Sequence, residues 1–155
     1  MNIVLKKITS KRRMLQSATA LALTALMAGC GSMGMGMGMG PAGKISLSGA
    51  EEVPAVTSAA TGSGVITVAA DRGVSGSVST TGIDGKAAHI HLAAKGSNGP
   101  VIVPLTKTAD NTWSVPAGTK LTDAQYASYV AGNLYVNVHS AAFPNGEIRG
   151  QMSAK

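Results

Sequence analysis

Apolar and polar residues alternate in short runs from residue 44 to the end of the chain, and glycine-, asparagine- and aspartate-containing turns separate the runs roughly every 8–12 positions. A period of two predicts β-strands, because successive side chains of a strand point to opposite faces of the sheet. The predicted strands are 44–48, 63–70, 74–80, 86–93, 101–106, 112–116, 134–139 and 146–153. We therefore expect residues 44–155 to form an all-β domain, a Greek-key β-sandwich or barrel of about seven to eight strands. Pro104 predicts an edge or a bulge, since proline cannot donate to the ladder.

One segment has helical spacing. Thr122 and Gln125 fit a capping box, in which each side chain accepts a hydrogen bond from the backbone of the other residue. Three residues then share a face at positions i, i+3 and i+4: Tyr126, Tyr129 and Val130. Gly132 suits the left-handed position that follows a helix. The pattern predicts a single short helix at about residues 122–131.

All three histidines of the chain, His89, His91 and His139, fall on predicted strands. In segment 87–92 two histidines alternate with aliphatic residues, and in segment 134–139 the last residue is a histidine that alternates with valines. If the aliphatic residues face the core, the histidines project from the other face of their strands. The pattern therefore predicts that the three side chains share one side of the sheet.

Histidines in this arrangement suit a metal ion, because neutral imidazole is the commonest protein metal ligand. Residues i and i+2 of a strand lie about 6.7 Å apart, so two rings can converge on one ion at about 2.0 Å each. Three imidazoles suit Cu(II), Zn(II) or Ni(II). The side chains expected beside the rings, as hydrogen-bonding or charged partners, are Asn137, Glu147 and Arg149. In the alternative interpretation the histidines bind no metal and are surface or network residues, hydrogen-bonded to Glu147, Asn137 or backbone carbonyls.

Two other acidic residues, Glu51 and Glu52, lie in a predicted loop. We expect a solvated loop there, or an ion pair with Arg149, since one loop does not assign an acid and a base. Glu147 and Arg149 share a strand face, which favours an exposed network of charges.

The N-terminal 29 residues predict a leader for export. They contain five basic and no acidic residues, and an apolar stretch follows the last arginine. About 15 apolar residues are too few for a membrane span and suit a signal peptide. Without this leader the formal charge falls from +6 to +1, so the basic balance gives no reason to expect a nucleic-acid partner.

Leu26–Cys30 resembles a bacterial lipobox, which implies that Cys30 is acylated and becomes the first mature residue. The chain has no other cysteine, so no disulfide framework is expected. Residues 30–43 would be the lipidated cysteine and a flexible Met-Gly tether. We expect a protein anchored in the outer membrane and facing the periplasm, or at the cell surface. The tether methionines Met33, Met35, Met37 and Met39 are either Cu(I) ligands or parts of a simple spacer.

Four segments resemble the CHRD family, a domain first described in chordin and common in exported bacterial proteins. They are 47–54, 88–91 together with 99–101, 121–125, and 132–139 running into 144–151. The resemblance implies a β-sandwich module and no particular reaction.

The chain also resembles the copper side of Cu/Zn superoxide dismutases. It shares a His-x-His strand, a later strand histidine and an arginine near the end of the domain. That resemblance implies that His89, His91 and His139 bind copper and that Arg149 attracts an anion. The chain has no zinc-ligand loop and no fourth histidine.

We therefore expect a membrane-anchored lipoprotein that binds a metal, with copper as the cofactor. One alternative is a copper-dependent enzyme that dismutes superoxide at the same ion. Another is a structural or adhesive module that binds an envelope protein without a metal.

Overall fold

The computed structural model describes residues 43–154. They contain nine antiparallel strands, one short 3-10 helix (Gly49–Glu51) and one α-helix. The strands are β1 (Gly43–Ser48), β2 (Thr61–Val68), β3 (Val74–Thr81), β4 (Gly85–Leu92), β5 (Val101–Pro104), β6 (Thr106–Ala109), β7 (Thr112–Ser114), β8 (Leu134–Ser140) and β9 (Ile148–Gln151). The helix α1 (Asp123–Val130) lies between β7 and β8. The predicted all-β class with one short helix is confirmed.

The strands form one sheet in the order β5-β4-β8-β9-β1-β2-β3-β7-β6, a nearly closed, barrel-like arrangement. The predicted strand 101–106 is correct for residues 101–104 but does not continue to 106, where a separate strand at the opposite end of the sheet begins and raises the number of strands to nine. Pro104 ends β5, and the Leu105 amide then donates to the Ala88 carbonyl at 2.9 Å. Pro104 therefore lies on an edge strand, as its missing donor predicts.

Aliphatic side chains fill the interior, and the alternation along β4 and β8 follows the sequence pattern. The buried apolar residues of these two strands are Ala88, Ile90, Leu134, Val136 and Val138, together with Tyr135. Trp113 of β7 packs in the same core, with 3% of its surface exposed. The histidines of β4 and β8 lie on the other face, opposite the aliphatic core.

The capping box of α1 is present. Gln125 donates its backbone amide to the Thr122 hydroxyl at 3.2 Å, and the Thr122 amide donates to the Gln125 side chain at 2.9 Å. Gly132 follows the helix with φ +75°. The expected shared face is partly wrong, because Tyr129 is buried whereas Val130, in the last turn, is 58% exposed.

No helix within residues 43–154 has the length and apolar character needed to cross a bilayer. The expected signal peptide, the lipidated Cys30 and the Met-Gly tether up to residue 42 lie outside the described residues.

Candidate metal centre

The pairing of β4 with β8 brings the three histidines together. Across the two strands His89 lies opposite Asn137, and His139 lies opposite Ala87. His89 and His139 are therefore diagonal neighbours on one face, and His91 follows two residues along β4. One ring nitrogen of each histidine lies within 4.8 Å of the others. The sequence-predicted residues thus form a single cluster.

Two backbone carbonyls fix the rings of His91 and His139. The Nδ1 atom of His91 lies 2.9 Å from the Gly99 carbonyl oxygen, and the Nδ1 atom of His139 lies 3.0 Å from that of Pro144. A carbonyl only accepts, so each Nδ1 carries the hydrogen, and the neutral ring has its lone pair on Nε2. Both rings therefore present a potential ligand atom toward the cluster.

His89 contacts His139 directly, with 3.0 Å between Nδ1 of His89 and Nε2 of His139. Because Nε2 of His139 carries a lone pair, the metal-free protein places the hydrogen on Nδ1 of His89. Two nitrogens bound to one ion at about 2.0 Å each also lie roughly 3 Å apart. An ion that replaces this hydrogen would therefore need little movement of these two rings.

Burial keeps the three rings neutral. For each histidine, burial has the largest effect on the pKa and lowers it below the ordinary 6.5. Positive charge on His139 and His91 lowers the pKa of His89 further. For His91 the Gly99 carbonyl and the Asn137 side chain partly oppose the effect of burial. The cluster is therefore uncharged at neutral pH, the state in which imidazole binds a metal.

Loops cover the histidine face. His91 is only 8% exposed, and its Nε2 atom is buried without a hydrogen-bond partner among residues 43–154. The Asn98 side chain donates to the Val53 carbonyl at 2.7 Å and so joins the two loops above the site. The face opposite the core is thus a half-buried environment and not an open surface.

Arg149 does not lie in an exposed charge network, and that sequence interpretation is wrong. It is 1% exposed, and its guanidinium donates to the Ser97 carbonyl at 2.7 Å and to the Asn98 side chain at 3.2 Å. Its Cζ atom lies 3.4 Å from the centre of the Tyr135 ring. Because β4 and β9 flank β8, this ring lies between Arg149 and His91. The guanidinium therefore holds the covering loop and does not face solvent, where an anion would approach.

Glu147 is also buried, and its Oε1 accepts a hydrogen bond from the Ser58 hydroxyl at 2.7 Å. No described hydrogen bond joins Glu147 to a histidine; the ring contacts of His91 and His139 are instead with the carbonyls of Gly99 and Pro144. Through its hydrogen bond with Ser58, Glu147 therefore fixes the position of the loop that contains this residue.

The two glutamates of the first loop behave differently. Glu51 forms an exposed ion pair with Lys95 at 2.9 Å. Glu52 is 7% exposed and accepts a hydrogen bond from the Asn137 amide nitrogen at 3.2 Å, so the expected solvated loop is wrong for Glu52. Burial raises the pKa of Glu52, while the Asn137 hydrogen bond and the charge of Arg149 oppose that rise. Sequence reasoning did not connect Glu52 to the histidines.

The CHRD domain family model matches residues 44–152, more than half of the chain. The match starts in β1 and ends one residue after β9, so it includes every histidine of the cluster. No curated protein and no solved structure matches the chain.

Proposed function

The chain belongs to the CHRD domain family, and we propose that it is an exported lipoprotein whose domain binds one copper ion through His89, His91 and His139. One observation carries the metal site. Three imidazoles, which burial keeps neutral, place a nitrogen each within 4.8 Å of one another. Nitrogens that share one ion at about 2.0 Å each lie no more than about 4 Å apart, so the ion would draw the rings closer together by up to roughly 1 Å.

The state of His91 favours a metal site over a network of hydrogen bonds. Its Nδ1 donates to a backbone carbonyl, the contact by which metal-binding histidines are commonly oriented. Its Nε2 has no hydrogen-bond partner among the described residues although it is buried. A purely hydrogen-bonded cluster leaves this atom unpaired, whereas a metal ion uses its lone pair.

Copper is favoured over zinc by affinity. No carboxylate or thiolate joins the cluster within residues 43–154, and imidazole nitrogen suits copper as well as zinc. Among divalent first-row metals, Cu(II) binds a given nitrogen site most tightly. The methionines at 33, 35, 37 and 39 are soft thioether ligands of the kind that bind Cu(I).

The anchor belongs to the same proposal. A basic leader, an apolar stretch and Cys30 in a lipobox-like context support lipid attachment. The domain would then lie at the outer membrane facing the periplasm, or at the cell surface. Its partners would be the membrane and, in addition, an envelope protein.

The test is a titration of the full-length protein with Cu(II), compared with a variant in which all three histidines are alanine. Cys30 and the methionines are present in both chains, so the difference between the titrations reports the histidines. We expect the wild type to bind about one more equivalent of copper. Equal binding by two folded proteins would overturn the proposal and leave the structural or adhesive alternative. Superoxide dismutation has less support, since Arg149 is buried beneath a loop.

A further inference from the structure

We propose that the side-chain oxygen of Asn137 is a fourth donor atom of the copper site and makes the site prefer Cu(II) over Cu(I). This inference rests on the proposed function. It concerns which oxidation state the site accepts, and not only whether copper binds.

The first observation is an unpaired oxygen. Asn137 is 2% exposed, and its Oδ1 atom has no hydrogen-bond partner among residues 43–154. Buried amide oxygens nearly always accept a hydrogen bond, so an orphaned one needs an explanation. A cation in front of Oδ1 would supply the missing partner.

The second observation is where this oxygen lies. Asn137 pairs with His89 across the sheet and shares a strand face with His139, two residues away on β8. It therefore lies between the positions of His91 and His139 along the pairing of β4 with β8. His91 Nε2 and Asn137 Oδ1 are both buried and have no hydrogen-bond partner among residues 43–154. A cation bound on this face would supply a partner to both buried acceptors.

The third observation fixes which end of the amide faces the cluster. The Asn137 nitrogen donates to Oε1 of Glu52 at 3.2 Å, and an ionised carboxylate only accepts. The nitrogen end is therefore held at Glu52, and the oxygen end is left for the histidine side. Gly146 makes this possible, because a Cβ atom there would lie 2.3 Å from the Asn137 nitrogen and 2.6 Å from Glu52 Oε1.

Donor chemistry then sets the preference. Three imidazole nitrogens and one oxygen form the kind of mixed N,O set that suits Cu(II), whereas Cu(I) is selected by soft sulfur ligands. An amide oxygen should add much to the affinity for Cu(II) and little to that for Cu(I). The hydrogen bond to Glu52 strengthens the effect, since it polarises the amide and increases the negative charge on its oxygen.

The test compares three variants of the full-length protein: Asn137→Leu, Glu52→Gln and Thr80→Val. Asn137→Leu keeps the volume and removes the oxygen. Glu52→Gln keeps the shape and removes the charge that orients the amide. Thr80→Val is the matched control, because Thr80 is another buried polar strand residue and lies on β3, which pairs with neither β4 nor β8. Affinities for Cu(II), and for Cu(I) without oxygen, are measured by competition with a coloured chelator.

We expect Asn137→Leu to lower the affinity for Cu(II) by about 10- to 100-fold and that for Cu(I) by less than about threefold. Glu52→Gln should give a smaller loss in the same direction, and Thr80→Val should leave both affinities unchanged. An equal loss for both ions, or no loss, overturns the inference. If Asn137→Leu does not fold, a Glu52→Gln protein with wild-type affinity for Cu(II) overturns it. Failure of the wild type to bind more copper than the triple histidine variant refutes the proposed function instead.

Discussion

Tyr135 stacks on His91, with ring centres 4.8 Å apart and planes inclined by 8°. The Gly99 amide donates to the Tyr135 hydroxyl at 3.3 Å, while the Gly99 carbonyl accepts from His91. One aromatic ring and one loop residue thus hold His91 from two directions. This arrangement orients the imidazole before any ion arrives, which is how surrounding groups tune a metal ligand.

The stack should matter more for copper binding than the tyrosine hydroxyl. Tyr135→Phe keeps the ring, so we expect its affinity for Cu(II) to stay within about threefold of wild type. Tyr135→Leu removes the stack, and its affinity should fall by about tenfold. Titration of both variants checks this. Equal affinities for the leucine variant and the wild type would show that the ring does not position His91.

Gly99 should be intolerant of any side chain. A Cβ atom there would lie 1.9 Å from the Leu92 carbonyl oxygen, so Gly99→Ala must displace the loop that orients His91. We expect a loss of about 2–3 kcal/mol in the free energy of unfolding, as for overpacking elsewhere, and weaker copper binding. Urea unfolding and Cu(II) titration are the measurements.

Gly96→Ala is the matched control in the same loop. Gly96 has φ +80° and no heavy atom within 4 Å of an added Cβ. Only the left-handed backbone penalises alanine there, at about 1–2 kcal/mol, and copper binding should not change. If both variants bind copper like the wild type, the Gly99 carbonyl does not control the site.

Arg149 should contribute to stability through the loop it holds. Arg149→Met leaves the Ser97 carbonyl and the Asn98 side chain without their donor and removes the contact with Tyr135. We expect a loss of about 3 kcal/mol in the free energy of unfolding. Lys120→Met, which breaks only an exposed ion pair with Asp71, should cost much less. Similar losses in urea unfolding would contradict a structural role for the buried guanidinium.

The metal-free protein should become less stable as the pH falls through 6.5. The pKa values of the three histidines are lowered from 6.5 in the folded state, so the unfolded chain takes up protons first. The histidine contribution to stability is therefore fully present above pH 6.5 and is lost below it. Urea unfolding between about pH 7.5 and 5.5 measures this, in a range above the ordinary pKa values of the carboxylates.

A triple His→Gln variant should show a flatter pH profile over the same range, because it has no histidine to titrate. Protonation of Glu52 has the opposite effect on stability from protonation of the histidines. Its raised pKa makes the folded state take up a proton before the unfolded chain as the pH falls toward 4.5, which favours folding in that range. A wild-type profile as flat as that of the variant would show that burial does not keep the rings neutral.

Sequence patterns with a local cause predicted much of the fold. The capping box of α1 depends on residues three positions apart, and the alternation along β4 and β8 depends on neighbours in the chain. Both were therefore visible in the sequence. The same alternation placed His89, His91 and His139 on one face, and the pairing of two strands was enough to bring them together.

What the sequence did not reveal depends on contacts between distant segments. The loops that cover the histidines meet through residues such as Asn98 and Val53, which are 45 positions apart. Glu52 and Arg149 look like surface charges, and only these loops bury them. Likewise, Leu105 divides the predicted strand 101–106 because its backbone bonds to β4 while the chain continues to the far end of the sheet.

Electron paramagnetic resonance of the Cu(II)-loaded full-length protein tests the central claim most directly, because nitrogen couplings identify the ligands. We predict a signal from one protein-bound copper with three imidazole nitrogens, which disappears when His89, His91 and His139 are all replaced by alanine. An unchanged signal in the folded triple variant would contradict the assignment and show that the copper is held elsewhere in the chain.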